Sequence, residues 1–455
     1  MGLAAIRNFT PLAFARARGR DVEEQDAANA LRVCFEELGA TFMKFGQLVG
    51  SSPGVFGDSI ADEFRSCLDT GPAVPFDEVK RIIEVDLGLP LADVFAEIEP
   101  EPIGRASIAV VHRGRLHDGR LVAVKVLRPQ IEYRVATDLE LLEPLVELVA
   151  RQTGERIAGS LVQLIGGFRE QMGEELDLRN ECRVMLYFRQ MLEVVQLPLV
   201  VIPEPYPACS GARVLTMEFV EGVPVDDLAT VERYGYDPAP LVEQVVQGLL
   251  LTTCRWGLFH GDVHAGNLLL TPDGRIAVLD WGITGRLDRD SHHMFLRLIA
   301  AALGDETAWD DIARHMVRIY GPVMGEVLGL HGDDLAQFIK GMLEPVLTQP
   351  FGQVSLAALL TAPQEQAHRA RGIETRSRSL WTIARRLREQ RRLYAMVEDT
   401  GAFEKDFDRS TFLLSKQLMY FERYGKMFLS DKSLFEDREF FEALLRDAPT
   451  LDEQD

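Results

Sequence analysis

The stretch Gly257–Gly282, GLFHGDVHAGNLLLTPDGRIAVLDWG, constrains this chain more than any other. Asp262 is followed five residues later by Asn267, and Asp280 stands eighteen residues after Asp262, inside Asp280-Trp281-Gly282. Two short apolar runs, Asn267–Leu270 and Ile276–Leu279, flank Thr271-Pro272-Asp273-Gly274. Pro followed by Asp-Gly has turn chemistry, so the stretch reads as a β-hairpin with acids at both ends. Read singly, the two Asp would be turn residues and Asn267 a capping side chain. Read together, their spacing, the hairpin and the Asp-x-Gly after a strand point to chemistry. His260 reads as a brace for the loop rather than a base, and His264 is open between the two.

Phosphoryl transfer needs these groups. An Asp orients a hydroxyl or a water, and an Asn with a second Asp holds Mg²⁺. On this reading Asp262 positions the acceptor and Asn267 and Asp280 are the metal ligands. Such a site also needs a grip on the nucleotide, ATP or ADP. Upstream, Glu101–His112 and Arg113–Leu116 lead through His117-Asp118-Gly119 into Leu121–Val126, two strands and their turn. Lys125, within Val-Ala-Val-Lys, is similar to the strand lysine that pairs with α- and β-phosphates. Gly104, Arg105, Ala106 and Ser107 stand where a phosphate-covering loop belongs. They lack the G-x-G-x-x-G pattern, so fewer backbone N–H groups can close over a γ-phosphate. Arg105 either approaches a phosphate or is solvated.

The lysine needs an acidic partner on a helix. Glu174, Glu175, Asp177 and Glu181 lie in a stretch from about Ser160 to Met191 with apolar residues at helical spacing. On one continuous helix Glu175 and Glu181 point well apart, at roughly 100° per residue. They therefore do different jobs, one holding Lys125 and another facing phosphates or metal. Pro198–Pro203 and Arg213–Phe219 read as strands. Met217–Gly222 then reads as a hinge whose backbone, at Glu218 and Val220, meets the adenine edge while Gly222 lets the chain turn.

Composition sets the limits. The chain has 455 residues, 47% of them hydrophobic, which suits roughly three domains or one two-lobed enzyme with extensions. A net charge of −21 argues against a general nucleic-acid binder. Five scattered cysteines, without C-x-x-C spacing, suit reduced thiols and no zinc site. No apolar run is long enough to span a membrane, and Leu241–Phe259, the nearest, carries Glu243, Gln244, Gln247 and Arg255. The expected location is cytoplasmic. Two features point to peripheral contact with anionic lipid. One is the basic stretch Arg371–Arg392, otherwise a solvated helix face. The other is the Arg-bearing segment Met1–Arg20.

With these residues in view, the chain resembles the AarF/UbiB family of atypical kinases, also called ABC1-type. The most diagnostic motif is Lys44-Phe45-Gly46-Gln47, the family's K-x-G-Q. Glu175-Leu176-Asp177 is similar to its E-x-D, and Pro102–His112 to its alanine-rich loop. The likeness runs from about Leu38 to Leu287. Gly104 and Arg105 stand where the family has further alanines, and Val110 where it has Gln. The resemblance implies that Lys44 and Gln47 lie over the nucleotide cleft and restrict protein substrates. It implies roles at the site for Glu175, Asp177 and Glu181. It also implies ATPase or small-molecule kinase activity in isoprenoid-quinone or lipid metabolism.

The expected fold is α+β, two-lobed and protein-kinase-like. Its parts are a helical N-terminal extension (1–95), a nucleotide-binding lobe with the E-x-D helix (96–220), a mostly helical catalytic lobe (221–446) and an acidic tail (447–455). No A-P-E segment follows Asp280, so a protein-substrate platform is not expected. Two other readings stand beside this one. One is a small-molecule phosphotransferase of the aminoglycoside or choline type, which shares H-G-D-x-x-x-x-N but not K-x-G-Q. The other is a nucleotide-gated scaffold without turnover. Phosphate acceptor, nucleotide preference and oligomeric state are not read from the sequence.

Overall fold

The structure is a computed structural model. It describes residues 24–50, 73–153, 155–195, 197–328, 332–353 and 409–446, with a few single positions before residue 72. In chain order the helices and strands begin with α1 (Glu24–Leu38), α2 (Ala40–Gly50) and α3 (Phe76–Leu87). There follow β1 (Phe95–Arg105), β2 (Ala109–Leu116), β3 (Leu121–Leu127), α4 (Ile131–Thr153), α5 (Glu155–Glu175) and α6 (Leu178–Val195). Next come β4 (Val200–Val201), β5 (Val214–Glu218), β6 (Val223–Pro224), α7 (Leu228–Tyr234), α8 (Ala239–Trp256) and β7 (Leu258–His260). Then come β8 (Leu268–Leu270), β9 (Ile276–Val278), β10 (Thr284–Arg286), α9 (Arg289–Ala302) and α10 (Glu306–Leu328). The last are α11 (Gly332–Thr348), α12 (Arg409–Phe428) and α13 (Arg438–Arg446). They form two compact units, Met1–Phe188 with Pro203–Val220, and Arg189–Ile202 with Glu221–Asp455.

The first unit is built on the antiparallel sheet β1-β2-β3-β5. Strand β3 shows why. Val122, Val124 and Val126 alternate onto one face and are fully buried, so Lys125 is carried on the other. The valine face packs against Val79, Ile82 and Ile83 of α3, with Phe95, Ile98 and Val110. Helix α3 opens with Asp77 and Glu78, whose charges suit its N-terminus, and stops at Gly88 with φ of 69°. The turn at His117-Asp118-Gly119 is present, closed by Gly119 at φ of 91°. Helix α2 meets α5 through Phe45 and Phe168, whose rings lie 5.2 Å apart edge to face.

The stretch read as one helix from Ser160 to Met191 is two. Helix α5 ends at Glu175 and α6 starts at Leu178. Asp177 explains the break. Its carboxylate accepts the Arg179 N–H at 3.1 Å, and the Leu178 N–H leaves the helix to donate to the Ala212 carbonyl at 2.8 Å.

The second unit carries the β4-β9-β8-β6 sheet, in which β4 and β9 run parallel, and the pair β10-β7. The hairpin read from sequence is β8–β9, registered Leu268↔Val278 to Leu270↔Ile276 and closed through Gly274 at φ of 80°. The segment expected as a strand over Pro198–Pro203 reduces to two residues, Val200 and Val201. Helix α8 is buried along most of its length from Leu241 to Cys254. That extent explains why its stretch is so apolar without being a membrane span. Among the described residues, no helix is long and apolar enough to cross a membrane. Arg371–Arg392, most of Met1–Arg20 and the acidic tail lie outside the described residues.

Candidate active site

In the second unit the loop after β7 is braced by its own histidine. The His260 ring is fully buried and 4.7 Å from the Trp281 ring. Its Nε2 donates to the Asp280 carbonyl at 2.6 Å, and its Nδ1 accepts the Asp262 N–H at 3.0 Å. Those partners require the neutral ring with its proton on Nε2. Burial pushes its pKa down to about 4, against the pull of the Asp262 and Asp280 charges. A single neutral side chain therefore ties the two acids together. His264 resolves to a cap: its Nδ1 accepts the Gly266 N–H at 3.1 Å.

Asn267 closes the arrangement. Its amide nitrogen donates to the Asp262 carbonyl at 2.9 Å, and its own carbonyl accepts the Leu279 N–H at 2.9 Å, next to Asp280. With that nitrogen spent on Asp262, the amide oxygen is what Asn267 offers a cation. Asp280 turns back to accept the Gly282 N–H on Oδ1 at 3.0 Å. Among the described residues no cluster of three or more His, Cys, Asp or Glu is disposed to hold a metal. An Asn oxygen and one carboxylate nevertheless fit Mg²⁺. That ion keeps several waters and takes one or two protein oxygens together with phosphate oxygens.

One partner of this loop escaped the sequence reading. Lys416 of α12 donates to Asp262 Oδ1 at 2.7 Å. The pair is separated by 154 residues of chain, so no local spacing could have announced it.

In the first unit the acids divide their work. Lys125 donates to both carboxylate oxygens of Glu181, at 3.0 and 2.8 Å. Lys44 stands 3.2 Å from Glu175 Oε2, and Gln171 donates to Glu175 Oε1 at 2.8 Å. Both Glu are buried. Their separate jobs come from separate helices, not from an angle along one. Asp177 is held by Arg179 at 2.7 Å, with its carboxyl below the usual range because Arg179 hydrogen-bonds to it. Gln47 is half-buried on α2, three residues beyond Lys44.

The expected phosphate-covering loop is shorter than its sequence suggested. Gly104 and Arg105 belong to β1, registered with Val111 and Val110, and only Ala106–Ile108 turn. Arg105 is half-exposed, 3.9 Å from Glu101. Ser107 is buried. A second residue missed from sequence, the buried Arg128, straps this turn: its Nε donates to the Ala106 carbonyl at 2.9 Å, and its N–H donates to the Ile108 carbonyl at 2.9 Å. At the hinge, the Glu218 N–H is already given to the Glu204 carbonyl at 2.8 Å. Val220 is half-buried beyond the end of β5. The turning role expected of Gly222 is corrected. Its φ is not positive, and what demands glycine is the Leu270 carbonyl, 2.7 Å from where a Cβ would stand.

A sequence model of the ABC1 atypical kinase-like domain matches residues 66–312. The chain belongs to the ABC1 atypical kinase-like family. An uncharacterized protein of Mycobacterium tuberculosis is 32% identical over 407 residues, covering 89% of this chain and 75% of that protein. An uncharacterized chloroplastic aarF domain-containing protein kinase of Arabidopsis thaliana is 31% identical, covering 90% of this chain and 73% of that protein. A probable protein kinase UbiB of Marinobacter nauticus is 29% identical, covering 74% of this chain and 61% of that protein. The fold is therefore two-lobed, α+β and kinase-like, and the ABC1 match spans every site residue above except Lys44, Gln47 and Lys416.

Proposed function

We propose that this ABC1-family chain binds ATP with Mg²⁺ and catalyses phosphoryl transfer, as an ATPase or a kinase acting on a small molecule or lipid. The arrangement that carries the reading is Asn267 bonded to Asp262 on one side and to the strand leading into Asp280 on the other. On this reading Asp262 brings the acceptor-orienting carboxylate, and Asn267 and Asp280 offer the oxygen ligands suited to magnesium. When bound, the ion neutralises charge on the phosphates. Asp262 orients the acceptor hydroxyl or water and receives its proton. Asn267 and Asp280 hold the metal, and Lys125, fixed by Glu181, holds nucleotide phosphates. Lys44 and Gln47 screen the nucleotide from protein acceptors, with Glu175 as the acidic partner of Lys44.

The UbiB relatives motivate the metabolic assignment, support of isoprenoid-quinone or lipid metabolism. Peripheral association with anionic lipid belongs to the same proposal. Phosphate release from Mg–ATP, measured with and without anionic liposomes, tests it. Stimulation by liposomes supports the lipid acceptor. Label transferred from ATP to a soluble alcohol instead places the chain with the small-molecule phosphotransferases. Nucleotide binding without turnover, unchanged by Asp262→Asn, makes it a scaffold.

A further inference from the structure

Helix α12 grips the loop 260–263 at several points. The Gln417 side-chain oxygen accepts the His260 N–H at 3.0 Å, and the Tyr424 hydroxyl donates to the Val263 carbonyl at 2.6 Å. Leu413 lies 3.1 Å from where a Cβ on Gly261 would stand, and Gly261 is the residue that lets the helix come so close. These three side chains share one helical face, at spacings of four and seven residues. They dock the helix on the backbone of the loop. Lys416 does something else. It bypasses the backbone and reaches a side chain of the loop, Asp262 Oδ1, at 2.7 Å. The two side chains are 18% and 17% exposed, so the pair is shielded yet open to an incoming group.

We propose that Lys416 is a further catalytic residue: its ammonium orients Asp262 and also meets the anionic phosphoryl group as it transfers. The inference rests on Asp262 being the acceptor-orienting carboxylate. In the step, the acceptor oxygen bonds to the γ-phosphorus as the bond from that phosphorus to the β,γ-bridging oxygen breaks. ADP leaves with the electron pair, and the acceptor's proton passes to Asp262. The reacting oxygens gather within reach of Asp262, so a cation touching that carboxylate stands beside the charge that develops on the phosphoryl oxygens. The Asp-x-x-x-x-Asn loop itself, Asp262–Asn267, contains no Lys or Arg that could serve. Tyr420 on the same helix keeps its ring 6.0 Å from the ammonium.

The test uses the full chain and compares Lys416→Met, Lys416→Arg and Asp262→Asn with the wild type. Calorimetry gives the affinity for Mg–ADP alone and for Mg–ADP with aluminium fluoride, a planar mimic of the phosphoryl group in flight. Phosphate release gives kcat and KM. The wild type gains affinity from the fluoride. Lys416→Met loses about tenfold or more of that gain and of kcat, while Mg–ADP affinity, KM for ATP and the unfolding midpoint hold. Lys416→Arg keeps most of both. An unchanged fluoride gain and kcat in Lys416→Met overturn the role of Lys416. In that case inactive Asp262→Asn leaves the phosphotransfer reading standing. A fluoride gain absent from the wild type, or Asp262→Asn turning over like wild type, overturns that reading as well. A fallen unfolding midpoint in Lys416→Met with unaltered kcat makes the pair merely structural.

Discussion

Lys44 Nζ stands 3.2 Å from Glu175 Oε2, with side-chain exposures of 11% and 6%. The K-x-G-Q and E-x-D motifs therefore meet as one ion pair largely out of water. Removing one partner strands the other charge. Lys44→Ala and Glu175→Ala are each expected to cost about 1–3 kcal/mol, and the double variant less than their sum. Urea unfolding of the four proteins measures the coupling. Additive losses would mean that the pair has no net interaction.

Lys125 depends on Glu181 for its position. Glu181→Gln keeps the side chain's shape and removes the charge that fixes the ammonium at 2.8 Å. Mg–ATP binding is expected to weaken about tenfold, and stability to fall by about 1–3 kcal/mol because Lys125 loses its buried partner. Titration calorimetry checks it, and an unaltered affinity would dissociate Lys125 from the phosphates.

Gly222 has no space for a methyl group. A Cβ there would lie 2.7 Å from the Leu270 carbonyl and 3.1 Å from Leu269 Cβ. Backbone cannot swing aside as a side-chain end can. Gly222→Ala is expected to lose about 1–3 kcal/mol of stability, read from urea unfolding at pH 7. A neutral result would show that β6 and β8 can part without cost.

Three buried histidines make stability fall in acid. Burial lowers the pKa of His112 and His292, and pushes that of His260 down to about 4. A folded-state value below the unfolded one, about 6.5, means that the unfolded chain binds the proton first. Stability is therefore full above about pH 6.5 and declines as the pH falls toward the folded-state values. Urea unfolding at pH 7 and pH 5 measures the loss. His292→Asn should show a smaller difference between the two than the wild type, since one contributor is gone. An equal difference would assign the acid loss elsewhere.

What the sequence made legible follows from range. The β8–β9 hairpin, the turn at Gly119 and the strand holding Lys125 are set by patterns a few residues long, and the structure holds all three. The family resemblance was carried by short motifs of the same kind. The break between α5 and α6 was hidden, because apolar spacing continues across it while a single carboxylate, Asp177, caps the new helix. Gly104 and Arg105 read as loop because a missing glycine pattern says nothing about where a strand ends. The choice between Glu175 and Glu181 for Lys125 could not be made from spacing, since it depends on how α5 and α6 pack against β3. Lys416 was beyond reach for the same reason, its partner being 154 residues away.

Asn267 and Asp280, both of the second unit, are proposed to hold the magnesium that accompanies ATP. Calorimetric titration of Mg–ATP into the wild type, Asn267→Ala and Asp280→Asn tests it most directly. The account predicts binding by the wild type and a loss of about tenfold or more in each variant. Weakened binding in one variant with full affinity in the other would contradict it.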